Sequence, residues 1–451
     1  MPVQIFEPFG REGTEEEQGL CYNPSLFSCL RKKSKILLPV EVYLQKKAIK
    51  KFNIPDYYRS SFTGRIKEWR QLKEGSGQNF APTFLDFGPL QFYLARHFGF
   101  CYGVENAIEI SYRALEENPA KDIFLLSEII HNQQVNDDQQ RRGVRHIFKT
   151  DGTPLYDFEK IKKEDVVIIP AFGTTVEMRK KLEAKGIEAQ RYDTTCPFVE
   201  KVWNKAARLG KDGYTVIIHG KPEHEETRAT FSHSESFPTV VVRNKKEAEI
   251  LAAYIKGAPQ QDFEKEFKGQ FSSGFDVKKH LTRVGVVNQT TMLASETQGI
   301  ANYFKQVMLE KFGDKNWKEH FADTRDTLCY ATNNNQDATH ALLEAPADAA
   351  FVVGGYNSSN TSHLAEVCEE KFRTFFIQSE KEIKSRLEIN HYDIHSKKMR
   401  TSPLPAHQPL RIAITSGASC PDATVDKVIA TLTGLFENAK TMDEAAEQFK
   451  S

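Results

Sequence analysis

From about residue 90 the chain alternates short apolar runs with longer stretches whose apolar positions recur every three or four residues. Runs at 123–126, 166–169, 215–218, 239–242, 284–287, 350–353, 374–377 and 411–414 read as strands. They lack polar alternation, as expected of strands covered on both faces. The stretches between them carry the period of amphipathic helices, so the alternation predicts parallel sheets with helices packed on their faces. Several runs pass at once into small or polar residues. Residues 166–169 lead into Pro170-Ala171-Phe172-Gly173-Thr174-Thr175, and 284–287 into Asn288-Gln289-Thr290-Thr291. Residues 350–353 lead into Gly354-Gly355-Tyr356-Asn357-Ser358-Ser359-Asn360, and 411–414 into Thr415-Ser416-Gly417-Ala418-Ser419. Ligands of open α/β sheets gather at the carboxyl ends of strands, where these loops fall.

The Asp-Thr-x-Cys match at 193–196 and 326–329 hints at an internal repeat. It divides the chain into three similar modules of about a hundred residues, an ordinary domain size. The expected boundaries are an N-terminal extension over 1–89, modules over 90–196, 197–325 and 326–437, and a tail over 438–451. Within the extension, Arg31-Lys32-Lys33 and Lys46-Lys47 read as solvated basic clusters, and Gly75-Ser76-Gly77 as a loop. Residues 257–280 look like a polar insertion carrying a charged helix, and 381–409 like a loop-rich excursion.

Composition narrows the functional classes. With 61 basic and 61 acidic residues the net charge is zero, so no global field recruits nucleic acid or membrane. No apolar run approaches a membrane span. Seven irregularly spaced cysteines do not read as a disulfide framework. Glu7, Glu12, Glu15, Glu16 and Glu17 are unlike an organelle transit peptide, so the expected location is cytoplasmic.

Cys101, Cys196 and Cys329 each stand where a short segment gives way to an amphipathic helix. Helix N-termini favour thiolate over thiol. Three thiolates converging from three segments would leave one corner of a four-iron cluster without a protein ligand, which suits a reductase that binds substrate oxygen. The competing reading is three buried, inert cysteines. The loops at 357–360 and 415–419 hold more Ser, Thr and Asn than helix caps need, which suggests a cradle for a diphosphate. In His219-Gly220-Lys221-Pro222-Glu223-His224-Glu225-Glu226-Thr227 a histidine could hold an anion while a nearby carboxyl relays a proton. A solvated acidic loop is the plainer alternative. His131, at another strand end, presents the same choice.

The run Gly99-Phe100-Cys101-Tyr102-Gly103-Val104-Glu105-Asn106-Ala107-Ile108 resembles the first cluster motif of the 4-hydroxy-3-methylbut-2-enyl diphosphate reductase (LytB) family. Further segments agree in order: 128–135, 192–203, 288–291, 326–337, 352–364 and 415–421. Together they cover about residues 90–436. The resemblance implies three similar α/β modules, with mainly parallel sheets, around a central 4Fe-4S cluster ligated by Cys101, Cys196 and Cys329. It implies that His131, His224, Ser358, Ser359, Asn360 and Ser419 bind the substrate diphosphate. Glu226 would deliver protons to the allylic hydroxyl, with Thr290 bonded into that relay. The implied reaction is reductive dehydroxylation to isopentenyl and dimethylallyl diphosphates, the last step of the non-mevalonate route. Ferredoxin or flavodoxin is the expected electron donor, since no Gly-x-Gly-x-x-Gly nicotinamide fingerprint occurs.

His224 and Glu226 follow from the His-x-Glu-x-x-x-Thr match ending at Thr230; His219 with Lys221 is the competing alignment. Glu223 and Glu225 are expected to be bystanders. Many bacterial members have His-Gly where this chain has Phe172-Gly173, so one imidazole donor is missing, as in the plant and cyanobacterial branch. Two rival functions stay open. One is an electron carrier, for which Cys368 or Cys420 would close the cluster; the other is a cluster-free phosphate-binding module.

Overall fold

Residues 52–75, 79–322 and 327–449 are described by the computed structural model. All eight apolar runs form strands, within one or two residues of the expected bounds. They are distributed over three sheets, one per module. In the first, Ile123–Leu125 lies between Arg145–His146 and Val166–Ile168, all parallel. In the second, Thr215–His219 and Val284–Asn288 form the centre, flanked by Thr239–Val242 and Phe321–Ala322, again all parallel. The third has five strands in the order Thr83–Asp86, Leu90–Leu94, Leu410–Ser416, Ala349–Val353, Arg373–Ile377. Only its first pair is antiparallel.

The central strands of the second and third sheets are buried along their whole length, which is why they read as unbroken apolar runs. Each sheet builds its own core. Phe351, Phe375 and Ile412 belong to the third, Ile217, Val286 and Phe304 to the second, and Ile108, Ile123 and Ile168 to the first.

The structure differs from the expected organisation at several points. The strand Leu90–Leu94, expected to open the first module, pairs with Leu410–Ser416 of the third. Its hairpin partner Thr83–Asp86 and the helix Phe62–Glu74, both expected in an extension, belong with that module too, since Phe62, Ile66 and Leu85 lie in its core. The basic clusters at 31–33 and 46–47, and Ser76 and Gly77 of the expected loop, fall outside the described residues.

The 257–280 segment is not a polar excursion. Phe263, Phe267, Phe271 and Phe275 recur every fourth residue and pack on the second core, and Phe271 bridges to the edge strand at Val240. Intervening Lys, Glu and Gln hide this period in a polar average. Residues 383–402 form a three-stranded antiparallel meander rather than loop. The tail is also docked, with a capped helix Met442–Ala446 that buries Ala445 and Ala446 against the third core.

Candidate active site

Each of the three cysteines is the N-cap of a helix: Cys101 of Tyr102–Glu117, Cys196 of Pro197–Lys211 and Cys329 of Tyr330–Leu343. The helices belong to the first, second and third modules in turn. The backbone N–H of each cysteine donates to a carbonyl in a loop that follows a strand, in another module for Cys101 and Cys329 and within the first module for Cys196. Cys101 reaches Ala418 O (3.2 Å), Cys196 reaches Ala171 O (2.9 Å) and Cys329 reaches Thr290 O (3.2 Å). The three thiols therefore line one central pocket. Gly103 belongs to this packing: a Cβ there would lie 2.6 Å from the Cys196 sulfur and 4.0 Å from that of Cys101.

The helix N-termini pull the thiols toward thiolate as expected, but burial opposes them. Burial pushes the Cys101 thiol up to about 12 and the Cys196 thiol up to about 11, and raises that of Cys329. Backbone N–H groups pull the other way but are outweighed, and the neighbouring cysteines add to the rise at Cys101. Three buried thiols that disfavour one another's ionisation fit a site completed by a cationic iron group, which deprotonates its ligands outright. Among the described residues no three His, Cys, Asp or Glu side chains stand close enough together to hold one metal ion. A single ion with metal–sulfur bonds of about 2.3 Å would draw its thiolates to within about 4 Å of one another.

The same pocket is lined by His131, Phe172, His224, Glu226, Thr290, Ser358, Ser359, Asn360 and Ser419. All eleven expected site residues are thus brought together around one space. Its lining includes donors lacking partners, two from the third module and one from the second. Ser359 Oγ, Asn360 Nδ2 and His224 Nε2 are buried without a hydrogen bond. Buried polar atoms left unpaired in a folded protein call for an explanation, and an anionic ligand supplies one. The other atoms of these residues are already used for positioning. Asn360 Oδ1 accepts from Ala418 N (2.9 Å) and Ser419 Oγ donates to His131 O (3.1 Å). His224 Nδ1 accepts from Glu226 N (3.2 Å), which turns Nε2 into the remaining donor of a neutral ring. Burial, followed by the nearby His131, holds His224 well below its usual range. Ser358 Oγ accepts from Thr361 N (3.3 Å), so the plain capping role is present alongside any ligand role.

Glu226 is fully buried. Its Oε1 accepts from Thr290 N (2.6 Å) and its Oε2 from Thr290 Oγ1 (2.8 Å). Burial lifts its carboxyl to about 7, with Thr290 opposing the rise. A carboxyl poised near neutrality can both hold and release a proton at working pH. Phe172 stacks on the His131 ring (centroids 4.1 Å apart, planes at 26°) and meets His224 edge-on (5.7 Å).

Glu225, expected as a bystander, is buried and lies 3.3 Å from His131 Nε2 through its Oε2. No sequence motif marks that contact, because its partner is 94 positions away. Glu223 pairs with Arg243 at the surface (2.7 Å). His219 and Lys221, the competing alignment, do not line the pocket. His219 is buried behind it, with Nδ1 3.2 Å from Thr297 Oγ1. Cys368 and Cys420 are buried and also outside the pocket, so among the described residues the cluster would have no fourth cysteine.

Comparison with known proteins agrees with this geometry. Residues 92–433 match the family described as LytB protein. A 4-hydroxy-3-methylbut-2-enyl diphosphate reductase from Picosynechococcus sp. is 43% identical over 348 residues, 76% of this chain and 84% of its own. Another, from Prochlorococcus marinus, is 39% identical over 86% of this chain and 96% of its own. The solved structure of the E-1-hydroxy-2-methyl-but-2-enyl-4-diphosphate reductase from Plasmodium falciparum shares the fold. It covers 76% of this chain and 87% of its own, with a TM-score of 0.54 at 22% identity. This chain, with its three helix-capping cysteines around one buried pocket, belongs to the LytB family.

Proposed function

We propose that this protein reduces 4-hydroxy-3-methylbut-2-enyl diphosphate to isopentenyl and dimethylallyl diphosphates, with two electrons and two protons and release of water. The observation that carries the reading is the lining of one pocket: three thiols, three buried donors without partners, and a carboxyl poised near neutrality beside Thr290.

Cys101, Cys196 and Cys329 would hold a 4Fe-4S cluster, which when bound supplies electrons and an iron corner able to take a substrate oxygen. Ser359 Oγ, Asn360 Nδ2 and His224 Nε2 donate to the diphosphate, with Ser358, Ser419 and His131 completing the cradle. Thr290 holds both oxygens of Glu226, so the acid meets the substrate in one orientation. Glu226 gives its proton to the leaving hydroxyl and makes water the leaving group. Phe172, Val104 and Val199 line the pocket as apolar wall and exclude bulk water from a reactive allylic species. Electrons come from a soluble one-electron carrier such as ferredoxin or flavodoxin. No helix among the described residues is long and apolar enough to cross a membrane. A compartment that keeps thiols reduced, such as the cytoplasm, suits three ligands that must stay free.

Anaerobic purification tests the reading. The protein should be brown, hold about four irons and four sulfides, change its spectrum on addition of the diphosphate, and release both products with a strong reductant. A colourless, iron-free protein that binds only phosphate would instead favour the cluster-free module.

A further inference from the structure

Glu226, the acid of the proposed reaction, is fully buried and both its oxygens are engaged by Thr290. Once it has given its proton it has no direct route to bulk water. The reaction consumes two protons, so another path must cross the pocket wall. His131 lines the pocket, and its Nε2 lies 3.3 Å from Glu225 Oε2. Glu225 itself lines a separate cleft between the first and second modules, together with Lys149, Gly152, Thr175 and Arg228. The pair thus spans the wall, with one member on each side. Phe172 stacked on the imidazole closes the rest of that wall with an apolar ring.

Resting on the reductase reading above, we propose that Glu225 and His131 form the proton entry of this site. Protonated Glu225 passes its proton to Nε2 of His131 while the ring gives the proton on its other nitrogen to an acceptor in the pocket. One proton enters, one is passed on and no electron moves. The ring, left with its proton on Nε2, resets by turning between hops so that an unprotonated nitrogen again faces Glu225, which takes its next proton from water in the cleft. The ionisable groups around the pair are His224 and Glu226 on the pocket side, Lys149 and Arg228 on the cleft side, and Glu128, which lines neither space. Two of them are committed elsewhere. Glu128 Oε2 accepts from Asn357 Nδ2 (2.8 Å) and Arg228 donates to Thr150 O (2.8 Å). That leaves Glu225 as the carboxyl in contact with both the imidazole and the cleft.

The test is Glu225→Gln in the cluster-loaded enzyme, with turnover measured in H₂O and D₂O across pH. The amide keeps the shape and a hydrogen bond to His131 but cannot relay. We expect kcat to fall at least tenfold, the solvent isotope effect to rise, and KM and iron content to stay within twofold. Added formate should restore part of the rate in Glu225→Ala, whose truncated side chain leaves room for it beside His131. Unchanged kcat and isotope effect would overturn the proposal; so would a change confined to KM, which would make Glu225 a positioning residue for His131. If Glu225→Gln does not fold, Glu225→Asp decides the matter. It keeps a carboxyl one methylene short and should turn over with an enlarged isotope effect, and a wild-type value there sinks the relay. Wild-type protein that does not consume the diphosphate overturns the function reading itself.

Discussion

Phe172 lies flat against His131, 4.1 Å between ring centroids, where many bacterial relatives are expected to carry a second imidazole. An apolar ring cannot donate to a diphosphate, so the remaining donors carry the anion. Phe172→His should leave iron content unchanged and shift substrate affinity by less than tenfold, about 1.4 kcal/mol. The ring's place is already set by its contacts with His131 and His224. A much lower KM in the variant would show a vacancy rather than a compensated wall.

Glu226→Gln should lower turnover by about two to four orders of magnitude, the usual worth of general acid catalysis, while cluster and substrate binding persist. The pH profile follows from burial, which raises this carboxyl to about 7. The protonated form is the donor, so kcat should be full below that value and fall as pH rises through it. Glu223→Gln, which disturbs only a surface pair with Arg243, should change neither quantity. The reverse pattern would move the acid to Glu223 and revive the alignment through Lys221.

Replacing Cys101, Cys196 or Cys329 by Ser should remove or degrade the cluster, because a hard oxygen replaces a soft thiolate. Cys368→Ser is the informative contrast. Cys368 is fully buried in the third core and outside the pocket. The variant should keep iron and turnover but lose about 1–3 kcal/mol of stability through an unpaired hydroxyl. Full iron in a Ser variant of any of the three ligands would contradict the assignment, and so would iron loss in Cys368→Ser.

Phe263→Ala should destabilise the protein by about 3–5 kcal/mol, as buried Phe-to-Ala changes do. Phe263 stacks with Phe267 and Phe275 over the edge of the second sheet, away from the pocket. Thermal unfolding should therefore shift down while KM at low temperature stays unchanged. A variant as stable as the parent would return this segment to the polar excursion that its composition suggests.

Strands were legible because burial on both faces writes an uninterrupted apolar run, as at Thr215–His219 and Val284–Asn288. The cysteines, the Ser/Asn loops and Glu226 were legible because each belongs to a local motif at a strand end. What escaped was non-local or averaged away. The pairing of Leu90–Leu94 with Leu410–Ser416 joins segments more than 300 positions apart and leaves no local pattern. The Phe263–Phe275 clip was masked by the charged residues between its rings. Glu225 carries no signal of its own, since only the docking of two modules brings it to His131. For the thiols, the helix N-termini that favour ionisation can be seen in sequence, whereas the depth of burial that opposes it cannot.

Two of the backbone bonds made by the cysteine amides cross between modules: the first module leans on the third through Cys101 and Ala418, and the third on the second through Cys329 and Thr290. Cys196 is tied to Ala171 within the first module, but the helix it caps opens the second, so the chain itself makes the remaining link. No pair of modules therefore completes the site without the remaining one. Opening any one seam should loosen the other two ligands as well as its own. Iron loading should accordingly be all-or-none rather than stepwise, and the iron-free chain should exchange the amide hydrogens of Cys101, Cys196 and Cys329 together, at one common rate.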